Sequence, residues 1–454
     1  MGTYTGNNFN NNFTADDDGQ SWLLSGKGGD DYLAGKSQND TIYGDEGNDN
    51  LFGGAGNDSL YGGIGFDTLN GGDGNDRIFD TDGIVDGGAG ADTLIADYSK
   101  FDNGFGVEVA FQRQNAIFSR LTGNPVLNYS NIERFEITGT QYGDVLRGAA
   151  GNDILNGGAG DDTLIGGAGY DTLNGGDGND RITDTDGIVN GGAGTDTLVA
   201  DYSKFDNGFG VEVAFQRQNA IFSRLNGDNP VLNYSNIERF EITGTKYNDV
   251  LRGTAGDDIL NGGAGDDLLF GSPGNDTFNG GAGTDTLIAD YSQFNNGAGV
   301  VQNQNAILSS FTGKSVLNFS NIERFEITGT QYSDVLRGAA DIDILNGGAG
   351  DDALFGGAGN DLLVGGAGND ILTGGTGADQ FVFNSKVEGL DVIKDFNWVE
   401  GDKIQISKIG FGTTDFSGFS YNEVTGGLLF QGSQFATLEN KPANFAVNLD
   451  IQLI

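Results

Sequence analysis

Aspartate recurs every ninth residue in four runs that together make up about half of this 454-residue chain, and most copies close a short glycine-rich stretch. Residues 347 to 379 show the unit at its most regular: Gly347-Gly-Ala-Gly-Asp-Asp352-Ala-Leu354-Phe is followed by nonapeptides of the same form that run to Asp379. Glycine admits left-handed and closely approached backbone that a Cβ would forbid, and this turns carbonyl oxygens inward. Hard cations such as calcium take several oxygen ligands from carbonyls and carboxylates. A glycine turn ending on aspartate offers that chemistry. The candidate metal ligands are Asp31, Asp40, Asp49, Asp58, Asp67 and Asp76 in a first run and Asp144, Asp153, Asp162, Asp171 and Asp180 in a second. Asp249, Asp258, Asp267, Asp276 and Asp285 form a third, and Asp334, Asp343, Asp352, Asp361, Asp370 and Asp379 a fourth.

The elements that position these carboxylates must be short. The eighth place of each unit is apolar, as in Leu354, Leu363 and Leu372, and one inward residue between two less restricted ones is what a three-residue strand presents to a core. Two nonapeptides then make one coil, and residues eighteen apart stack at about 4.8 Å. The fold class expected is all-β, a parallel β-roll. Counting unbroken eighteen-residue pairs gives four, three, three and four calcium ions in the successive runs, about fourteen, which would reduce the net charge of -42 to about -14. Without the metal, such a roll should repel itself open.

Composition narrows the function classes. Glycine supplies 81 residues and proline only 4, which excludes collagen-like and proline-rich chains. With no histidine and no cysteine, the chain has no Ser-His-Asp triad, Cys-His pair, His-Glu-x-x-His zinc motif or disulfide. No catalytic or cofactor-binding residue is assigned. The strongly acidic balance argues against nucleic acid and anionic membranes as partners, and no apolar run is long enough for a transmembrane helix. The start, Met1 to Phe13, has no Sec-type signal pattern.

The runs alternate with different sequence. A leading cap is expected over 1–25, repeat blocks over 26–95, 144–199, 249–288 and 334–379, strand inserts over 96–143, 200–248 and 289–333, and a closing cap over 380–454. In the first insert Val107, Val109 and Phe111 alternate with Glu108, Ala110 and Gln112. The three inserts hold 14 acids and 11 bases, a net of -3, so nearly all the anionic charge lies in the rest of the chain. Asp80-Thr-Asp-Gly and Asp184-Thr-Asp-Gly open units of seven residues rather than nine; the sixteen-residue offset from Asp76 to Asp92 is expected to break the stacking and form a tight corner. Apolar residues at the ninth place (Phe52, Tyr61, Phe79, Phe270, Phe355) are expected to pack beneath a neighbouring loop or insert. Arg134, Arg239 and Arg324, each in Ile-Glu-Arg-Phe-Glu, are expected to make local ion pairs.

The nonapeptide resembles the calcium-binding repeat of the RTX (repeats-in-toxin), hemolysin-type family. Gly374 to Phe383, Asp391 to Phe396 and Gly401 to Ser407 look like the segment that ends the roll in serralysin-type proteases and many cyanobacterial calcium-binding proteins. The resemblance implies a parallel β-roll, calcium-triggered folding and export by type I secretion machinery through an uncleaved C-terminal signal, to which Asp450-Ile-Gln-Leu-Ile454 is similar. The zinc motif of the family's proteases and the apolar region of its toxins are missing. The function expected is a non-enzymatic, secreted calcium-binding protein of the cell surface or extracellular matrix, with self-assembly or an extracellular polysaccharide as partner. The alternative is a calcium-dependent polysaccharide lyase or epimerase.

Overall fold

The computed structural model describes every residue except 103, 111–114, 207, 215–218, 226–229, 296 and 311, so Phe111 and Gln112 of the expected alternation lie outside it. The chain is all-β, and its contacts divide it into two compact units. One is built on residues 1–201 and the other on residues 240–454, with the second insert contributing to both.

In the first unit alternate nonapeptides feed two parallel sheets. Trp22–Gly28, Thr41–Glu46, Ser59–Ile64, Arg77–Phe79 and Thr93–Asp97 succeed one another in one sheet, placing Leu24, Ile42, Leu60, Ile78 and Leu94 in a single column. Tyr32–Ser37, Asn50–Ala55, Thr68–Asp73 and Gly83–Ala89 build the other, with the column Leu33, Leu51, Leu69 and Val85. All nine side chains are buried. Each strand contributes one inward apolar residue per coil, so the core is two facing aliphatic ladders, and burying them is the main apolar gain of the fold. The roll also begins before the first glycine turn, because Gly2–Thr5 pairs with Trp22–Ser25 and Asn12–Thr14 with Tyr32–Ala34.

Two expectations need correction. The seven-residue unit at Asp80 does not break the stacking: Leu69 still pairs with Val85 and Gly72 with Gly88. The two missing residues come out of the turn and leave the strand register untouched. The ninth-place aromatics do not pack beneath inserts either. Tyr43, Tyr61 and Phe79 stack on one another from coil to coil at 4.5 and 4.2 Å between ring centroids. Arg252 covers Phe270 at 3.3 Å, and Arg337 covers Phe355 at 4.2 Å. A side chain repeated every eighteen residues finds its own copy at strand spacing, which suits offset aromatic stacking and cation-π contact.

The first insert is part of the roll wall. Pro125–Ser130 lies parallel to Gly83–Ala89, Ala116–Ser119 antiparallel to Pro125–Ser130, and Val107–Ala110 antiparallel to Ala116–Ser119. Glu108 then meets Val145 in a parallel pair, which returns the wall to the repeat. Val107, Val109, Ile117 and Leu127 are fully buried and continue the core, while Arg134–Thr138 joins the opposite sheet beside Thr93–Asp97.

In the second unit the third insert repeats this order through Ser315–Ser320, Ala306–Ser309 and Val300–Gln302. This unit has leucine columns of its own, with Leu345 on Leu363 and Leu354 on Leu372. Towards the C-terminus Gln380–Phe383, Lys403–Ile406 and Ile451–Leu453 extend one sheet. An antiparallel set, Phe419–Asn422, Gly427–Phe430 and Ser433–Leu438, extends the other side. Here a cluster of phenylalanines, including Phe411, Phe419, Phe430 and Phe435, is added to the ladder, which continues through Ile393 and Leu438 and through Ile404 and Ile451. No helix among the described residues is long and apolar enough to cross a membrane.

Candidate metal centre

The turn Gly356-Gly-Ala-Gly-Asn-Asp361 shows how the site is built. Gly357 and Gly359 have φ of +114° and +144°, conformations that L side chains rarely adopt. They fold the turn so that Asp361 points inward and is fully buried. Its Oδ1 accepts the N–H of Asp343 at 2.9 Å, and its own N–H donates to Oδ1 of Asp379 at 2.9 Å. A Cβ on Gly356 would collide with Oδ2 of Asp361 and with the carbonyl oxygen of Gly374, so those two oxygens converge where only glycine leaves room.

This arrangement runs through the chain as columns of carboxylates, each holding the amide of the aspartate one coil earlier. Asp31 donates to Asp49 and Asp49 to Asp67. The neighbouring column is Asp40, Asp58, Asp76 and then Asp92. Asp144, Asp162, Asp180 and Asp196 form another. In the second unit Asp249, Asp267 and Asp285 follow the same rule. So do Asp334, Asp352, Asp370 and Asp391, and Asp343, Asp361, Asp379 and Asp402. Asp92, Asp196, Asp391 and Asp402 were not among the expected ligands. Asp92 and Asp196 stand at the sixth place of ordinary glycine turns, and only the presumed break at the short units hid them.

All twenty-two expected aspartates are at most 2% exposed, but the structure separates them into two groups. In fifteen of them Oδ2 is buried without any hydrogen-bond partner: Asp31, Asp40, Asp49, Asp58, Asp67, Asp76, Asp162, Asp171, Asp180, Asp267, Asp285, Asp352, Asp361, Asp370 and Asp379. Asp92 and Asp196 share that state. In the other seven, Oδ2 accepts the N–H of the second turn residue. Thr140 donates to Asp144 at 2.6 Å, Ala149 to Asp153 at 2.7 Å, Thr245 to Asp249 and Thr254 to Asp258 at 2.7 Å. Ser272 serves Asp276 through a long amide bond of 3.4 Å and its hydroxyl at 3.0 Å; Thr330 serves Asp334 at 2.6 Å and Ala339 Asp343 at 2.7 Å.

The backbone explains the division. Where Oδ2 is open, the second turn residue has positive φ, whether it is glycine, as at Gly357, or Lys27, Lys36 and Asp45 at +84°, +121° and +77°. Where Oδ2 is closed, that residue is Thr, Ala or Ser without positive φ, and its N–H turns back onto the carboxylate. Six of the seven closed turns are the two that follow each insert. There Oδ1 accepts an amide of the insert, from Val107, Val211 or Val300 in the first turn and Phe135, Phe240 or Phe325 in the second.

The inserts also complete the ends of the open columns. Asn131, at φ of +51°, brings its carbonyl oxygen to Gly87 beside Oδ2 of Asp92. Glu133 accepts the N–H of Asp92 at 2.9 Å, taking the place of the next aspartate. Glu238 and Glu323 do the same for Asp196 and Asp285 at 2.9 and 3.0 Å. Arg134, next to Glu133, pairs with Glu136 at 3.1 Å, the local contact expected of it.

Burial pushes these carboxyls up, to about 7 for Asp58 and about 8 for Asp162 and Asp352, with neighbouring aspartates adding to the effect. A buried anion of this kind costs several kcal/mol unless it is paired. No three carboxylates converge among the described residues; the donor set is one carboxylate oxygen and glycine carbonyls per turn. Hard oxygen donors, a net negative charge and a cradle that a Cβ would fill suit calcium. The residues present therefore fit the ion.

Among known proteins, the family model described as RTX calcium-binding nonapeptide repeat (4 copies) matches residues 25–94, 138–188, 243–290 and 328–385 in overlapping copies, together half of the chain. No curated protein matches. Among solved structures, the extracellular lipase LipA from Serratia marcescens is similar at 23% identity, covering 49% of this chain and 41% of the lipase, with a TM-score of 0.23.

Proposed function

Because the chain belongs to the family of RTX calcium-binding nonapeptide repeat proteins, we propose that it is exported through type I secretion machinery and folds on calcium outside the cell. It then serves as a structural or interaction protein of the cell surface or extracellular matrix. The observation that supports this reading is the set of buried Oδ2 atoms with no partner, aligned coil upon coil. These oxygens have no hydrogen-bond donor on them, and calcium would supply a positive partner.

Calcium is assigned to the open turns. The ions lie with the fifteen open aspartates of the expected set and with Asp92 and Asp196, while Asp144, Asp153, Asp249, Asp258, Asp276, Asp334 and Asp343 hold none. Glycine carbonyls provide the remaining protein ligands, with Asn131 and its counterparts doing so at the ends of columns. The test is circular dichroism of the full chain. Chelation should remove the β-sheet signal and added calcium should restore it; an identical spectrum in both states would refute the proposal.

A further inference from the structure

We propose that the two seven-residue units each hold a divalent cation between paired carboxylates, Asp67 with Asp80 and Asp171 with Asp184. The inference rests on the calcium-binding reading above and extends it to a turn of different composition. In an ordinary turn the aspartate Oδ2 meets a glycine carbonyl beside the first glycine. Beside Gly62 the second oxygen source is instead a side chain: the point where a Cβ would stand is 2.6 Å from Oδ2 of Asp67 and 3.1 Å from Oδ1 of Asp80. Beside Gly166 the same point is 2.5 Å from Oδ2 of Asp171 and 2.9 Å from Oδ2 of Asp184.

One oxygen of each carboxylate is accounted for. Asp80 Oδ1 accepts the N–H of Thr81 at 2.8 Å and Asp67 Oδ1 that of Asp49 at 2.8 Å. In the second copy Asp184 Oδ1 accepts from Thr185 and Asp171 Oδ1 from Asp153, both at 2.8 Å. The other oxygen of all four is buried with no donor, and Asp80 and Asp184 are only 5% and 4% exposed. In the second copy the Asp184 oxygen facing the shared point is the unpartnered Oδ2; in the first it is Asp80 Oδ1, which also holds the Thr81 N–H. Two buried carboxylates thus face one another with an oxygen left over on each, an arrangement that a hard divalent cation stabilises.

The chain carries its own comparison. At the corresponding place in the third run the unit keeps nine residues, and Ser272 stands where the second carboxylate would be, beside Gly253 and Asp258. Its hydroxyl lies 3.3 Å from Asp258 Oδ2 and 3.0 Å from Asp276 Oδ2, and Thr254 N–H reaches Asp258 Oδ2 at 2.7 Å. Neither Asp258 nor Asp276 has an unpartnered buried oxygen. The fold therefore satisfies this position with hydrogen bonds where serine is present and leaves it purely anionic where aspartate is present.

The experiment measures bound calcium per chain by elemental analysis after equilibrium dialysis, for the wild type, Asp80→Ser, Asp184→Ser and the double variant. Each single variant should lose one ion and the double variant two, with a lower melting temperature in calcium. Asp80→Asn, which keeps the volume of the side chain, should lose the same single ion and covers the case in which the serine variant does not fold. An unchanged count, as a proton shared by the two carboxylates would give, overturns the inference, as does loss of the ions of the whole run. A wild type that binds no calcium would instead overturn the parent reading.

Discussion

The property that decides whether a turn carboxylate is open belongs to its neighbour, the second residue of the turn. With positive φ at that residue, Oδ2 is left without a donor; otherwise the amide closes on Oδ2. Asp361 and Asp343 are successive members of one column and fall on opposite sides of this division. Asp361→Ala should reduce the calcium bound and raise the calcium concentration needed for folding. Asp343→Ala should leave the calcium count unchanged and lower stability in saturating calcium by about 2–4 kcal/mol, since two amides lose a charged acceptor. Calcium titration followed by urea unfolding separates the two effects; equal loss of calcium from both variants would show that the division has no bearing on metal. The nine-residue period located every expected aspartate in a buried turn. It could not distinguish open from closed, because Lys27, Lys36 and Asp45 adopt the glycine-like conformation while Thr140 and Ala149 do not. Non-glycine residues in that region are strained, and a nonapeptide alignment read by residue type treats those turns as the degenerate ones.

At the scale of the elements, the inserts do more than interrupt the repeat. Each ends an open column with Asn-Ile-Glu-Arg, in which the asparagine carbonyl and the glutamate carboxylate stand where the next glycine turn would supply a carbonyl and an aspartate. Glu133→Ala should leave the amide of Asp92 without an acceptor and destabilise the calcium-bound protein by about 1–3 kcal/mol. Glu133→Gln keeps an oxygen at that position and should cost less. Urea unfolding in saturating calcium compares them, and an equal cost for both would mean that side-chain volume, not the acceptor, matters at Glu133. The sequence revealed the strand character of the insert through the alternation of Val107 and Val109 with Glu108 and Ala110. Which way those strands run depends on pairings between residues far apart in the chain, such as Glu108 with Val145, and no local pattern encodes them. The same limit hid the continuity at Asp80: a shortened turn reads as a broken period, although the strands on either side remain in register.

For the whole molecule the controlling quantity is the net charge of -42, most of it outside the inserts. Aspartates stacked at strand spacing repel by about 3–4 kcal/mol per adjacent pair at an effective dielectric constant near 20, and calcium is one of two ways to remove that repulsion. Protonation is the other. In the metal-free fold Asp49 and Asp370 are pushed up to about 6, Asp58 and Asp267 to about 7, and Asp162 and Asp352 to about 8, chiefly by burial. In the unfolded chain the same groups titrate near 4. A carboxyl whose pKa is higher in the folded state favours folding when it is protonated, so its contribution is complete below about pH 4 and disappears as the pH rises through 6 to 8. Metal-free protein should therefore be unfolded at pH 8 and regain β-sheet signal on acidification to pH 5, above its isoelectric point of about 4.1. Calcium-bound protein should show no such transition between pH 8 and 6, because the ion replaces the proton as the counter-charge. Far-ultraviolet circular dichroism of dialysed protein, with and without calcium across this range, measures both arms. A metal-free spectrum that does not change with pH would mean that the repulsion of the buried aspartates is not what keeps the roll open.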